Sequence, residues 1–184
     1  MRYIDEFLGL TTAPLLIQQQ LFPNAKEITE SMGMYAAVRQ YVRPVFNLDY
    51  SDKSITVVVI GDGHTPRTAA LFATRSRWQA ISIDPLLRDK EWKINNLTCI
   101  SKKIQECSRL TTGKYIIVLP HAHVDIESCL HAIPTPIAIV GMPCCFPMNF
   151  KKDSPDYEYY EYHDNSILSP HNMIRIWLDK SQMA

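Results

Sequence analysis

The sequence has no excess of charge of either sign, because 19 Lys and Arg residues balance 19 Asp and Glu residues. This balance excludes an overall electrostatic field that would draw the chain to nucleic acid or to a membrane, so any such attraction must come from a local patch. No hydrophobic run approaches the length of a membrane span. The first residues, MRYIDEFLGLTTAPLL, carry acids and a proline where a signal peptide would be apolar. We therefore expect a cytoplasmic protein without a membrane partner.

The cysteines also lack the pattern of a disulfide framework, because they are five in number and irregularly spaced. We expect them to be reduced thiols, in agreement with a cytoplasmic location.

Apolar residues with two different periodicities divide the chain. Residues 1–50 show helical spacing, which predicts a helical N-terminal extension. Residues 55–184 contain short apolar runs that alternate with helical segments. The runs are ITVVVI, AISI, LTCI, YIIVLP and PIAIVG. Because these runs are continuously apolar, we expect parallel strands that are covered on both faces. The prediction is one domain over residues 1–184 with an α/β fold, in which a doubly wound, mostly parallel, Rossmann-like sheet has helices on both faces.

The C-terminal segment has a different pattern. Alternating aromatic residues in DYEYYEYHD precede the turn-rich NSILSPHN and then the strand-like MIRIWL. This order predicts an antiparallel strand pair that closes the sheet, although a tyrosine-rich loop would have a similar composition.

Two glycines follow the first predicted strand, in VVVIGDGHTP. Gly61 and Gly63 permit a tight turn and leave backbone amides accessible to a ligand before the next helix, which Thr65 and Pro66 are predicted to begin. The third glycine of a dinucleotide-binding fingerprint is absent, which argues against a simple NAD site. Asp84, at the end of the second predicted strand, has the spacing of a carboxylate that binds both hydroxyls of a ribose.

With these motifs, residues Ile55 to Gly141 resemble the class I S-adenosylmethionine-dependent methyltransferases in order and spacing. The resemblance rests on VVVIGDGHTP as the first motif, SIDP with the ribose-binding acid, YIIVLP as the fourth strand and PIAIVGMP as the fifth. It implies S-adenosylmethionine as the cofactor. The resemblance also implies which residues of this chain bind the cofactor. They are Gly61, Asp62, Gly63, Asp84 and Lys102, and Lys102 is expected near the adenine. One position departs from the family: Val59 stands where an acid is common, and either Asp62 supplies the charge or the cofactor site has weakened.

The ends of the fourth and fifth predicted strands carry reactive side chains, in VLPHAHVD and VGMPCCFPMNF. Neighbouring parallel strands end at the same crevice, so His121, His123, Cys144 and Cys145 are expected to meet. Methyltransferases of this class place substrate-facing residues after the fourth strand, which makes His121 the candidate catalytic residue and His123 its reserve. Two histidines and two cysteines can also bind zinc, but adjacent cysteines chelate poorly, and we predict no metal.

The sequence therefore predicts an S-adenosylmethionine-dependent methyltransferase. The acceptor stays open among RNA, protein and a small molecule, and RNA is favoured because PCC resembles a tripeptide after the fifth strand of some RNA methyltransferases. Two alternatives remain. One is a non-catalytic, Rossmann-like binding protein with a decayed cofactor site, and the other is a zinc-dependent hydrolase or deaminase.

Overall fold

The computed structural model describes residues 2–110, 113–144, 150 and 154–183. Helices precede the first strand, as the helical spacing of the N-terminal residues predicts. They are α1 (Arg2–Leu8), α2 (Ala13–Gln18), α3 (Ala25–Ala37) and α4 (Arg43–Val45), with a π-helical turn at Val38–Val42 between the last two. Helix α3 begins at Asn24, whose side chain accepts a hydrogen bond from the backbone amide of Glu27, a favourable N-cap.

Seven strands of the described residues form one sheet. They are β1 (Ile55–Ile60), β2 (Gln79–Ile83), β3 (Leu97–Ile100), β4 (Lys114–Pro120), β5 (Ala138–Met142), β6 (Tyr157–His163) and β7 (Met173–Asp179). Their order in the sheet is β3-β2-β1-β4-β5-β7-β6. The first five strands run parallel, and β7 is antiparallel to both β5 and β6. The predicted Rossmann-like sheet and its C-terminal antiparallel pair are confirmed.

The sheet is buried on both faces, because successive residues of the central strands belong to two separate cores. Val57 and Val59 point into a core with the N-terminal helices and α5 (Arg67–Arg75). Val58 and Ile60 point into a second core with α6 (Ile126–Ala132) and a 3₁₀ turn at Ile104–Glu106. This two-sided burial explains why the strands read as continuous apolar runs.

The N-terminal helices are fixed to the rest of the fold by buried polar contacts of α3. The hydroxyls of Ser31 and Thr68 lie 2.9 Å apart, and the Thr29 hydroxyl accepts a 3.0 Å hydrogen bond from the backbone amide of Leu168. A Cβ on Gly33 would lie 2.5 Å from the side chain of Ile167, so glycine allows the close approach of these segments. Helix α3 therefore joins α5 to the loop between β6 and β7.

Among the described residues, no helix is both long enough and apolar enough to cross a membrane.

Candidate functional site

The turn after β1 is shaped by its two glycines. Gly61 and Gly63 both have positive φ, +82° and +79°, a conformation that costs other residues free energy. A Cβ on Gly61 would lie 2.8 Å from the Cα of Ala122. Glycine at this position therefore lets the segment after β4 pack directly on the turn, with His121 and His123 on either side of Ala122.

Asp84 connects the end of β2 to the same turn. Its carboxylate accepts a 2.8 Å hydrogen bond from the backbone amide of Gly63 and a 2.7 Å hydrogen bond from the backbone amide of Leu86. The residue is 8% exposed. A carboxylate offers about four lone-pair sites, so two backbone bonds orient it and leave acceptor capacity for a ligand.

A cavity of about 540 Å³ opens at the carboxyl ends of β1, β2 and β4. Its lining includes every predicted site residue except Asp62, namely Gly61, Gly63, Asp84, Lys102, His121 and His123. Ile83, Ile104 and Val124 add apolar surface. Ligand cavities typically measure about 300–1,000 Å³ and combine apolar walls with a few polar groups, and this cavity has both properties.

Asp62 does not line this cavity. Its buried carboxylate accepts hydrogen bonds from the backbone amides of Thr68 and Ala69 at 3.0 and 3.1 Å, and from the hydroxyl of Ser82 at 3.1 Å. It therefore caps α5, the role predicted for Thr65, whose hydroxyl instead donates to the backbone oxygen of Leu21. The cofactor-binding role predicted for Asp62 has no support from the position of its side chain.

Burial raises the pKa of Asp62 above that of an exposed aspartate. The charge of Arg67 and the hydrogen bonds from Thr68 and Ala69 lower the pKa, but burial outweighs them. Val59 is also buried, in the core that contains the N-terminal helices. The position at which class I methyltransferases often have an acid is therefore apolar in this chain.

His121, directly after β4, has the left-handed backbone conformation at φ +57°, and its amide donates to the carbonyl of Met142 on β5. The imidazole Nε2 lies 3.0 Å from Oε1 of Glu30 on α3. Nδ1 is buried and has no hydrogen-bond partner among the described residues. The sequence alone does not single out Glu30, because nothing in its local pattern separates it from other helical glutamates.

Glu30 is almost completely buried, at 2% exposure, and its Oε1 also accepts a 3.1 Å hydrogen bond from Lys26. Burial raises the pKa of Glu30, but the hydrogen bonds and charges of His121 and Lys26 together lower it by more than burial raises it. The pKa of Glu30 therefore lies below the usual value. The carboxyl group is therefore an ionised acceptor.

The residues after β4 and β5 meet as predicted. The Nε2 atom of His123 lies 3.1 Å from Sγ of Cys144, and Cys144 Sγ lies 3.8 Å from the carbonyl oxygen of His121. Cys145 lies outside the described residues. In the part of the chain that the structure describes, no three His, Cys, Asp or Glu side chains are arranged to hold a metal ion.

A second cavity, of about 340 Å³, lies beyond the end of β5. The described residues that line it are Pro143, Cys144, His163, Pro170, His171, Asn172, Met173 and Arg175. It adjoins the surroundings of His121, because the rings of His121 and His171 are 6.3 Å apart between centroids. The loop between β6 and β7 therefore forms one wall of the space next to His121.

The fold resembles that of solved structures, one of which is a complex with S-adenosylmethionine. A mutant of MtNAS in complex with S-adenosylmethionine superposes with a TM-score of 0.50 at 10% identity, covering 96% of this chain and 76% of that one. A human methyltransferase 10 domain containing protein matches with a TM-score of 0.49 at 12% identity, covering 95% and 97%. No protein-family model matches the sequence, and no similar sequence is found among curated proteins. Together with the strand order, the first of these structures shows that the chain has the fold of the class I S-adenosylmethionine-dependent methyltransferases.

Proposed function

We propose that this protein is an enzyme that transfers a methyl group from S-adenosylmethionine to an acceptor. The observation that carries the proposal is the cavity of about 540 Å³, which is lined by the glycine turn, by Asp84 and by the segment after β4. The fold supports the same reading, because MtNAS, which has this fold, was crystallised with S-adenosylmethionine.

The residues of the cavity fit this cofactor. The carboxylate of Asp84 can accept further hydrogen bonds, from the two ribose hydroxyls. Gly63 has no side chain, so a ligand can approach its backbone closely. Ile83 and Ile104 provide apolar surface for an adenine ring, and Lys102 lines the same cavity. S-adenosylmethionine would supply an electrophilic methyl group on a sulfonium, so the protein would chiefly have to align the acceptor with it.

The acceptor is proposed to occupy the second cavity and to reach the first one past His121. His121 lines the first cavity, and His171 and Cys144, which line the second, both lie next to it. An acceptor held there would have an imidazole beside its reacting atom, where the imidazole can take a proton.

We propose RNA as the acceptor. Lys102 and Lys103 lie along the first cavity, and Arg175 and His163 lie along the second, so cationic or protonatable groups flank both cavities. Such groups contact phosphates in RNA-binding proteins.

The test uses S-adenosylmethionine labelled in its methyl group, incubated with the purified protein and a total cell extract. The proposal predicts label in macromolecules that ribonuclease removes and protease leaves. Label that protease removes would replace RNA with a protein acceptor, and label in small molecules alone would replace it with a metabolite. Absence of transfer, together with absence of cofactor binding, would favour a non-catalytic binding protein.

A further inference from the structure

The contact between Glu30 and His121 joins two distant parts of the chain, since 91 residues separate them. Glu30 is on α3, outside the sheet and its crossovers, and α3 is held by the buried Ser31–Thr68 contact. The side chains of Glu30 and His121 are 3% and 18% exposed. This burial distinguishes the contact from a mobile ion pair at the surface.

The ionised carboxylate of Glu30 determines which ring nitrogen of His121 carries hydrogen. A carboxylate can only accept hydrogen bonds, so Nε2 at 3.0 Å from Glu30 Oε1 must be protonated. A hydrogen on Nδ1 as well would leave a buried donor without a partner, which is costly. In the neutral imidazole, the arrangement therefore favours hydrogen on Nε2 and a lone pair on Nδ1.

We infer that Glu30 is a positioning residue that fixes His121 in the Nε2–H form, so that Nδ1 accepts the proton of an acceptor N–H or O–H group during methyl transfer. This inference rests on the proposed function. It assigns to the N-terminal helices a part in the active site, and it restricts the acceptor to groups that lose a proton on methylation.

The acceptor N or O atom forms a bond to the methyl carbon, and the bond from that carbon to sulfur breaks with its electrons remaining on sulfur. The proton of the acceptor moves to Nδ1 of His121. The resulting imidazolium is stabilised by the Glu30 carboxylate beside Nε2, as an acid stabilises a histidine base in hydrolytic triads.

The experiment is nitrogen-15 NMR of the histidine side chains at a pH well above the ordinary imidazole value. The spectrum of His121→Asn assigns the His121 signals among the six histidines. We expect hydrogen on Nε2 in the wild type. In Glu30→Gln, whose amide can either donate or accept, we expect the Nδ1–H form to appear. Lys26→Met, which removes the other partner of Glu30 Oε1, is the matched control and should retain the wild-type form.

Hydrogen on Nδ1 in the wild type would overturn the inference. An unchanged tautomer in Glu30→Gln would also overturn it. S-adenosylhomocysteine binding, measured on the same samples, separates this inference from the proposed function. Failure of the wild type to bind it would contradict the methyltransferase, while the tautomer would still report on the role of Glu30.

Discussion

The backbone amide of Gly63 donates a 2.8 Å hydrogen bond to the carboxylate of Asp84. The glycine turn after β1 and the acid after β2 are therefore one connected unit. In the sequence they are two separate signals, 21 residues apart. In the structure the acid holds the turn, so the geometry of the turn and the capacity of the cavity to bind a ribose depend on each other.

We predict that Gly61→Ala disrupts the site. Alanine is strained at the positive φ of this position, and its Cβ would lie 2.8 Å from the backbone of Ala122. The segment after β4 must therefore move. We expect a loss of about 1–3 kcal/mol in the free energy of unfolding and weaker binding of S-adenosylhomocysteine. Chemical denaturation and calorimetry measure the two effects.

Gly9→Ala is the control for this prediction, because a Cβ at Gly9 would meet backbone atoms only at ordinary contact distances of 3.4 Å and above. Equal losses in the two variants would show that the close approach of Ala122 to the turn has no special importance.

We predict that Asp62 makes stability depend on pH. Because burial raises its pKa in the folded protein, the folded state binds the proton more tightly than the unfolded state does. The free energy of unfolding therefore falls as pH rises from the unfolded pKa of Asp through the raised folded pKa. Relative to Asp62→Asn, the wild type should lose stability in that window. Urea unfolding from about pH 4 to about pH 7 measures this difference.

The exposed Asp89, replaced in Asp89→Asn, serves as the control. A difference between wild type and Asp62→Asn that is constant with pH, or that grows in favour of the wild type as pH rises, would contradict the raised pKa of Asp62 in the folded protein.

We predict that replacing His121 affects turnover and leaves cofactor affinity nearly unchanged. His121→Asn is preferable to His121→Ala, because asparagine tolerates the left-handed backbone at φ +57°. If the imidazole takes the acceptor's proton, turnover should fall about a hundredfold or more. His131→Ala, an exposed position on α6, is the control. Full activity of His121→Asn on the labelled acceptor would place the chemistry elsewhere.

We predict that the purified protein contains no stoichiometric zinc. Adjacent cysteines are poorly spaced for chelation. Elemental analysis measures the metal content of the protein directly. One zinc per chain, lost in Cys145→Ser, would contradict the prediction and favour the hydrolase or deaminase alternative.

The sheet and the cavity were predictable from the sequence because they depend on local patterns. Continuous apolar runs indicate buried parallel strands, and the carboxyl ends of such strands meet at one edge. Gly61, Gly63 and Asp84 stand at those ends, which is why they line the cavity. The segment after β4 was placed by the same rule.

The contacts that depend on side-chain direction were not predictable. Asp62 lies between two glycines of the turn, and only the structure shows that its carboxylate turns back to cap α5. Thr65 precedes a proline, as a capping residue often does, but its hydroxyl reaches Leu21 instead. Glu30 meets His121 through the packing of α3 on the sheet, and no local pattern encodes a contact between residues so far apart.

Parallel calorimetric titrations with S-adenosylmethionine, S-adenosylhomocysteine and NAD test directly whether the cavity binds S-adenosylmethionine through Asp84. We predict that the wild type binds the first two ligands. Asp84→Ala should weaken that binding by about ten- to a hundredfold, since charge-assisted hydrogen bonds contribute about 1.5–3 kcal/mol, while the exposed control Asp89→Ala should bind as the wild type does. Binding of NAD alone, or equal affinity in Asp84→Ala and the wild type, would contradict binding of S-adenosylmethionine through Asp84.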